Sequence, residues 1–172
     1  MTGAGLPDHF AAAMAALGPF EDHPTLAAGV SGGADSMALA VLADDWVKRR
    51  GGRLVALVVD HGLRSASAAE AALTVARLAG LGIAARLLTV TGLTKGPALA
   101  VRARAARYRL LTQACRDAGI VHLLLGHHAA DQAETLMIRV LSGSGGRGLA
   151  GMPALAETRS LRILRPLLTV PH

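Results

Sequence analysis

Two glycines stand between hydroxyl residues and beside a carboxylate in Ser31-Gly32-Gly33-Ala34-Asp35-Ser36, a spacing suited to gripping phosphate. Glycine lets the backbone bend and bring its N–H groups close to an anion. Ser31 and Ser36 add hydroxyl donors. An apolar run before the segment, Leu26 to Val30, and a helix-like pattern after it would aim the positive end of a helix at the same spot. Asp35 places a carboxylate among these donors, where it would repel phosphate unless a cation stood between them, and a hard divalent ion such as Mg²⁺ is the natural mediator. The spacing is not that of the Walker loop, which requires a Gly-Lys-Ser/Thr ending, and no Gly-x-Gly-x-x-Gly fingerprint follows. On the residues alone, a serine or aspartate capping an ordinary strand-to-helix turn is the alternative.

Further polar residues gather at two other places. Asp60-His61-Gly62-Leu63-Arg64 follows an apolar run, and so does Gly126-His127-His128-Ala129-Ala130-Asp131-Gln132-Ala133-Glu134-Thr135. In the second segment Asp131, Glu134 and Thr135 fall at i, i+3 and i+4, one face near the start of a helix. They could complement the helix dipole or hold a cation. His127 and His128, adjacent on a turn, lack further ligands at zinc spacing. A third basic group lies between Arg102 and Arg116. There Leu99, Ala103, Ala106, Leu110 and Ala114 form an apolar stripe, with Arg104 and Arg107 on one flank and Arg102, Arg109 and Arg116 on the other.

The elements that would position these groups alternate. Strands are expected at 26–30, 54–59, 83–90 and 121–125, and a last one within 161–168 interrupted at Pro166. Helices are expected at 35–49, 66–79, 97–118 and 130–141. The order predicts an α/β fold, doubly wound, with a mainly parallel sheet and helices on both faces, and ligands at the carboxyl ends of the strands. With 172 residues the chain suits a single domain, its core at about 26–168. Its apolar content is mostly Ala, Leu and Val, which implies small side chains packed closely between helices and sheet. No apolar run is long enough to span a bilayer, and the first residues lack the basic flank of a secretion signal, so a cytoplasmic protein without a membrane partner is expected. The lone Cys115 excludes an internal disulfide or a multi-cysteine cluster and is read as a small buried helix residue. A net charge of +6, carried almost wholly by arginine, favours a phosphate-rich partner, although a GC-rich genome would also produce it.

The segment 31–36 resembles the SGGxDS signature of the PP-loop ATP pyrophosphatases, whose fold is adenine nucleotide alpha hydrolase-like. With DHGLR, Ala103 to Tyr108 (ARAARY), GHHAADQAET, Gly143 to Met152 (GSGGRGLAGM) and Arg165-Pro166-Leu167-Leu168 following in order, the chain resembles the amino-terminal catalytic domain of the tRNA(Ile)-lysidine synthetases. That resemblance implies ATP, Mg²⁺, free L-lysine and the isoleucine tRNA with a CAU anticodon as cofactors and partners. ATP would activate C2 of the wobble cytidine, and the lysine amine would then displace AMP.

By resemblance, Ser31, Gly32, Gly33, Ala34, Asp35 and Ser36 bind the nucleotide, with Asp35 also linked to the metal, and His61 and Arg64 lie beside it. Asp35, Asp131, Arg104 and Arg107 carry the catalysis. Asp131, Glu134 and Thr135 hold lysine or metal, and His128 orients the site.

Two positions depart from the family pattern. Ala130 stands where the family has an aspartate before Asp131, and Ala100 where it has a glutamate four residues before Arg104. The chain also stops at His172, where family members continue into carboxy-terminal tRNA-binding regions, which are therefore expected to be absent. Another PP-loop enzyme, a tRNA thiolase or an amide-forming synthetase, and a non-catalytic nucleotide-binding remnant are the alternatives. The sequence leaves open whether the chain forms a homodimer.

Overall fold

A computed structural model describes residues 5–64, 66–94, 96–127 and 152–169. The chain starts with a helix, α1 (Leu6–Ala16), and then alternates through β1 (Thr25–Val30), α2 (Ala34–Lys48), β2 (Arg53–Asp60), α3 (Ser67–Gly80), β3 (Ala84–Thr89), α4 (Leu99–Asp117) and β4 (His122–Leu125). Two short strands follow, β5 (Leu155–Glu157) and β6 (Arg162–Leu164), and then a 3₁₀ turn at Pro166–Thr169. The helix expected at 130–141 lies outside the described residues.

The six strands form one sheet in the order β3-β2-β1-β4-β6-β5. All neighbours are parallel except β5 and β6. The chain steps outward from β1 to β3 and then crosses back to lay β4 on the other side of β1. This reversal leaves a crevice above the carboxyl ends of β1 and β4, where neighbouring connections leave in opposite directions. The register brings those ends level: Val30 pairs with Val58, Gly29 with Leu125, and Leu124 with Leu164.

Both faces of the central strands β2, β1 and β4 are covered, as expected for strands that read as nearly continuous apolar runs, while the edge strand β3 is largely exposed. On one face α1, α2 and α3 bury Leu26, Ala28, Val30, Leu54, Ala56, Val58 and Leu124 together with Leu39, Ala43 and Leu78. On the other, Leu111, Ala114 and Cys115 of α4 pack on Ala27, Leu57, Leu123 and Leu125. The alanines in both layers let helices sit close to the strands. Leucines such as Leu39 and Leu124 supply about 1.5–3 kcal/mol each on burial.

One element lies outside the sequence expectations and two expectations need correction. The amino-terminal helix was not anticipated, although Phe10 and Met14, spaced by four, both bury fully beneath it. The last strand is shorter than expected. It ends at Leu164, because proline cannot donate to a ladder, and the chain turns at Pro166–Thr169, while β5 adds an antiparallel edge. On α4 the buried stripe is rotated: Leu111 and Cys115 enter the core, and Leu110 is left at its margin.

At the amino ends of the strands, remote from the crevice, a polar and aromatic cluster holds the 17–21 segment. His122 and Glu21 approach to 2.7 Å, Phe20 packs edge-on against Trp46, and Arg162 donates to the Leu17, Gly18 and Pro19 carbonyls.

Candidate functional site

The Ser31–Ser36 segment leaves β1 at Ser31 and becomes α2 at Ala34, with Gly33 as the helix N-cap. Ser36 is buried in the first turn and closes the loop on itself. Its hydroxyl donates to the Gly33 carbonyl at 2.9 Å and accepts the Ser31 N–H at 3.1 Å, and the two serine hydroxyls lie 3.2 Å apart. Gly32 adopts φ +85°, a left-handed conformation that disfavours any side chain. The end of β4 completes the floor. A side chain at Gly126 would start only 3.2 Å from the Ser36 Cα, so glycine permits the close approach of strand and helix.

Above this loop lies a cavity of about 410 Å³. Ser31, Gly33, Asp35 and Ser36 line it from β1 and α2, Asp60, His61 and Arg64 from the end of β2, and Gly126 and His127 from the end of β4. Ser67 and Glu70 of α3 and Arg107 of α4 close its sides. Three strand ends therefore meet at one crevice, as the sequence pattern predicts.

The charges in the crevice act on one another. Asp60 is shielded from bulk solvent yet borders the open cavity. The Gly62 N–H, donated at 2.9 Å, and the Ser67 hydroxyl hold its carboxyl below the usual carboxylate range, against burial. Burial, and then the positive charge of Arg107, push the His61 imidazole below its ordinary pKa, while Asp60 pulls the other way. The His61 Nδ1 is buried without a hydrogen-bond partner. Burial also lowers the pKa of Arg107, with Tyr108 opposing and Arg104 reinforcing the shift. The crevice thus holds a neutral imidazole and a guanidinium above a cradle of donors, with carboxylates at its rim.

Of the residues singled out in the sequence, Ser31, Gly33, Asp35, Ser36, His61, Arg64 and Arg107 come together here. Gly32 shapes the loop without lining the cavity, and Ala34 opens α2 exposed to solvent. Arg64 is largely exposed and paired with Glu70 at 2.9 Å. Arg104 lies outside the cavity lining, its Cζ 5.3 Å from the Tyr108 ring centre. His128, Asp131, Glu134 and Thr135 lie outside the described residues.

Sequence reasoning assigned no role to Asp60, Ser67, Glu70 or Thr74. Asp60 had a usable signal, a carboxylate ending an apolar strand. The other three had none, because their place depends on how α3 folds back over β1.

Asp35 lines the cavity beside the loop, and a magnesium ion completed by substrate phosphates would need only one or two such carboxylates. Among the described residues no three metal-ligating side chains cluster.

A glycine-bent, hydroxyl-lined loop thus stands at the switch point of a mostly parallel sheet, the place where such folds bind ligands. The PP-loop domain family matches residues 7–172, and the chain belongs to it. Within that family its sequence is similar to tRNA(Ile)-lysidine synthases. It is 49% identical over 151 residues to that of Bradyrhizobium diazoefficiens, covering 86% of this chain and 42% of the relative. It is 42% identical over 167 residues to that of Bradyrhizobium sp. strain BTAi1, covering 96% and 47%. With that of Salinispora tropica it shares 47% over 144 residues, covering 81% and 42%. The chain therefore spans less than half the length of these relatives. Among solved structures, the U34-tRNA thiolase NcsA from Methanococcus maripaludis with its [4Fe-4S] cluster superposes with a TM-score of 0.75. The likeness is 20% in sequence and covers 95% of this chain and 59% of that one, and it shows the shared fold.

Proposed function

We propose that the chain is the catalytic PP-loop domain of a lysidine-forming ligase. It joins free L-lysine to C2 of the wobble cytidine of the isoleucine tRNA with a CAU anticodon, at the expense of ATP. The observation that carries this reading is the Ser31–Ser36 cradle opening into a crevice with Arg107 and His61, in a chain 49% identical to a named lysidine synthase.

The reaction has two displacements. The cytidine carbonyl oxygen attacks the α-phosphorus of ATP and pyrophosphate leaves. The lysine amine then attacks C2, loses a proton, and AMP leaves with the oxygen. Charge accumulates on the phosphates in the first step, and donors already aimed at them lower its barrier. The Gly32 and Gly33 N–H groups and the Ser31 hydroxyl would grip the pyrophosphate, and the Ser36 hydroxyl, which here donates to the Gly33 carbonyl, would turn to it on binding, with the amino end of α2 behind them. Arg107, kept cationic even though burial lowers its pKa, would face the developing charge. His61, held neutral, offers a ring edge for hydrogen bonding beside the nucleotide.

Asp35 would hold Mg²⁺, which when bound supplies positive charge against the phosphates. Asp131, Glu134 and Thr135 are proposed to receive lysine or metal, with His128 orienting them, and Arg104 to act with Arg107. No helix among the described residues is long and apolar enough to cross a membrane, in keeping with a cytoplasmic enzyme.

The test is pyrophosphate release from ATP with lysine and the isoleucine tRNA each supplied or withheld. Release that needs the tRNA, with lysine then incorporated into it, is the expected result. Release supported by other acceptors, or ATP binding without turnover, would overturn the reading.

A further inference from the structure

A second hollow, of about 670 Å³, runs along the opposite flank of α4 from the crevice. The carboxyl end of β3 and the chain just after it, Thr89 to Thr91, form one wall, and Arg109, Gln113 and Arg116 stand on the other. No acidic residue lines it. Leu110, displaced from the core by the rotation of the helix stripe, forms part of its floor.

The basic residues here differ from their neighbours. Arg102, on the same flank by sequence, is spent on the Thr94 carbonyl at 2.7 Å, and Arg107 turns into the crevice. Arg109 and Arg116 are exposed and make no ion pair or side-chain hydrogen bond among the described residues. They are seven residues apart, two helical turns, so both face the same hollow, roughly 10 Å from one another along the axis. Thr89, Thr91 and Thr112 line the same hollow. Two unpaired arginines two helical turns apart, above a trough lined by threonines and by no acidic residue, suit spaced phosphates of an extended strand rather than a single small anion.

We propose that this groove holds the sugar–phosphate backbone of the RNA substrate, Arg109 and Arg116 each taking a phosphate while the target base enters the crevice on the other side of α4. The proposal rests on the lysidine-forming reading for the identity of the RNA. The groove shares the strand-end edge of the sheet with the crevice, since Thr89 pairs with Asp60, which itself lines the crevice. A strand lying along α4 could therefore feed a nucleotide over the helix without crossing the sheet.

The experiment measures binding of a CAU anticodon stem–loop RNA to the full chain over a range of salt. The double variant Arg109→Ala/Arg116→Ala should bind roughly tenfold more weakly at 0.1 M salt. Its log–log salt slope should be shallower by about 1.4, the share of two phosphates on a single strand. The double lysine variant should keep most of that slope. A control in which exposed arginines elsewhere are removed, Arg77→Ala/Arg159→Ala, should change little. Unchanged affinity and slope in the double alanine variant, an equal loss in the control, or no RNA binding by the parent chain would each overturn the proposal. ATP-dependent lysine incorporation is followed on the same preparations. A chain that binds RNA through this groove and incorporates no lysine supports the groove while refuting the ligase reading.

Discussion

Thr74 of α3 stands directly against Gly32 of the phosphate loop: a Cβ added to Gly32 would lie 2.5 Å from the Thr74 Oγ1. Thr74 is itself buried, its hydroxyl donated back to the Glu70 carbonyl at 2.9 Å. Glu70 in turn pairs with Arg64 at the far side of the crevice. The Ser31–Ser36 loop is thus braced by the helix whose first turn closes the opposite wall.

Gly32→Ala should therefore fail for two separable reasons. The φ of +85° costs an L-residue roughly 1–2 kcal/mol, and the new methyl meets Thr74. Adding Thr74→Ala removes the contact and leaves the dihedral cost. The double variant should recover part of the ATP affinity lost by Gly32→Ala, measured by nucleotide titration, and not all of it. Full recovery would mean that the backbone conformation carries no cost, and no recovery that the contact is unimportant.

The lowered pKa of Asp60 makes the fold depend on pH with a definite sign. A carboxyl that ionises more readily folded than unfolded stabilises the fold above its unfolded pKa, about 3.9, and that contribution disappears as pH falls through the lower folded value. Asp60→Asn keeps an oxygen for the Gly62 N–H and loses the charge. It should be less stable than the parent at pH 7, and the gap in denaturant midpoint should close in acid below the ordinary carboxylate range. A constant gap at every pH would show that charge is irrelevant there.

After burial, the positive charge of Arg107 contributes most to holding His61 below its ordinary pKa. Arg107→Met keeps the bulk of the side chain and removes the charge. The His61 ring should then titrate at a higher pH than in the parent, approaching the reference value near 6.5, as followed by NMR of the imidazole. A midpoint that stays put or falls would remove Arg107 as a cause. The same variant should lose nucleotide-dependent turnover by at least tenfold if Arg107 faces developing phosphate charge.

Burial pushes the Cys115 thiol up to about 11. The native protein should therefore resist a thiol-specific disulfide reagent at pH 8 and take up one equivalent when unfolded in denaturant. Rapid native labelling would show that the α4 side of the core opens readily.

Much of the architecture could be read from the residues because parallel strands buried on both faces announce themselves as unbroken apolar runs. β2, Arg53–Asp60, is the clearest of them. Glycine-punctuated helix ends, such as Gly80, did the rest. The amino-terminal helix escaped because its apolar residues are mostly alanines with a weak period, and Phe10 and Met14 bury only once α2 and the Pro166–Thr169 turn pack against them. Leu110 and Leu111 are adjacent and equally apolar. Which of them enters the core depends on where the helix axis lies over Leu57 and Leu125, a matter no local pattern contains.

By itself the sequence determined the glycine-bent loop at Ser31–Ser36, the alternation of strand and helix from β1 to β4, and the family, because each depends on residues close together along the chain. Only the tertiary structure decided that Thr74 braces Gly32, that Arg107 looks into the crevice while Arg109 and Arg116 look away, and that Asp60 is a shielded charge. Those relationships join residues dozens of positions apart, and they exist only once the β1–β4 reversal folds the helices over the strand ends.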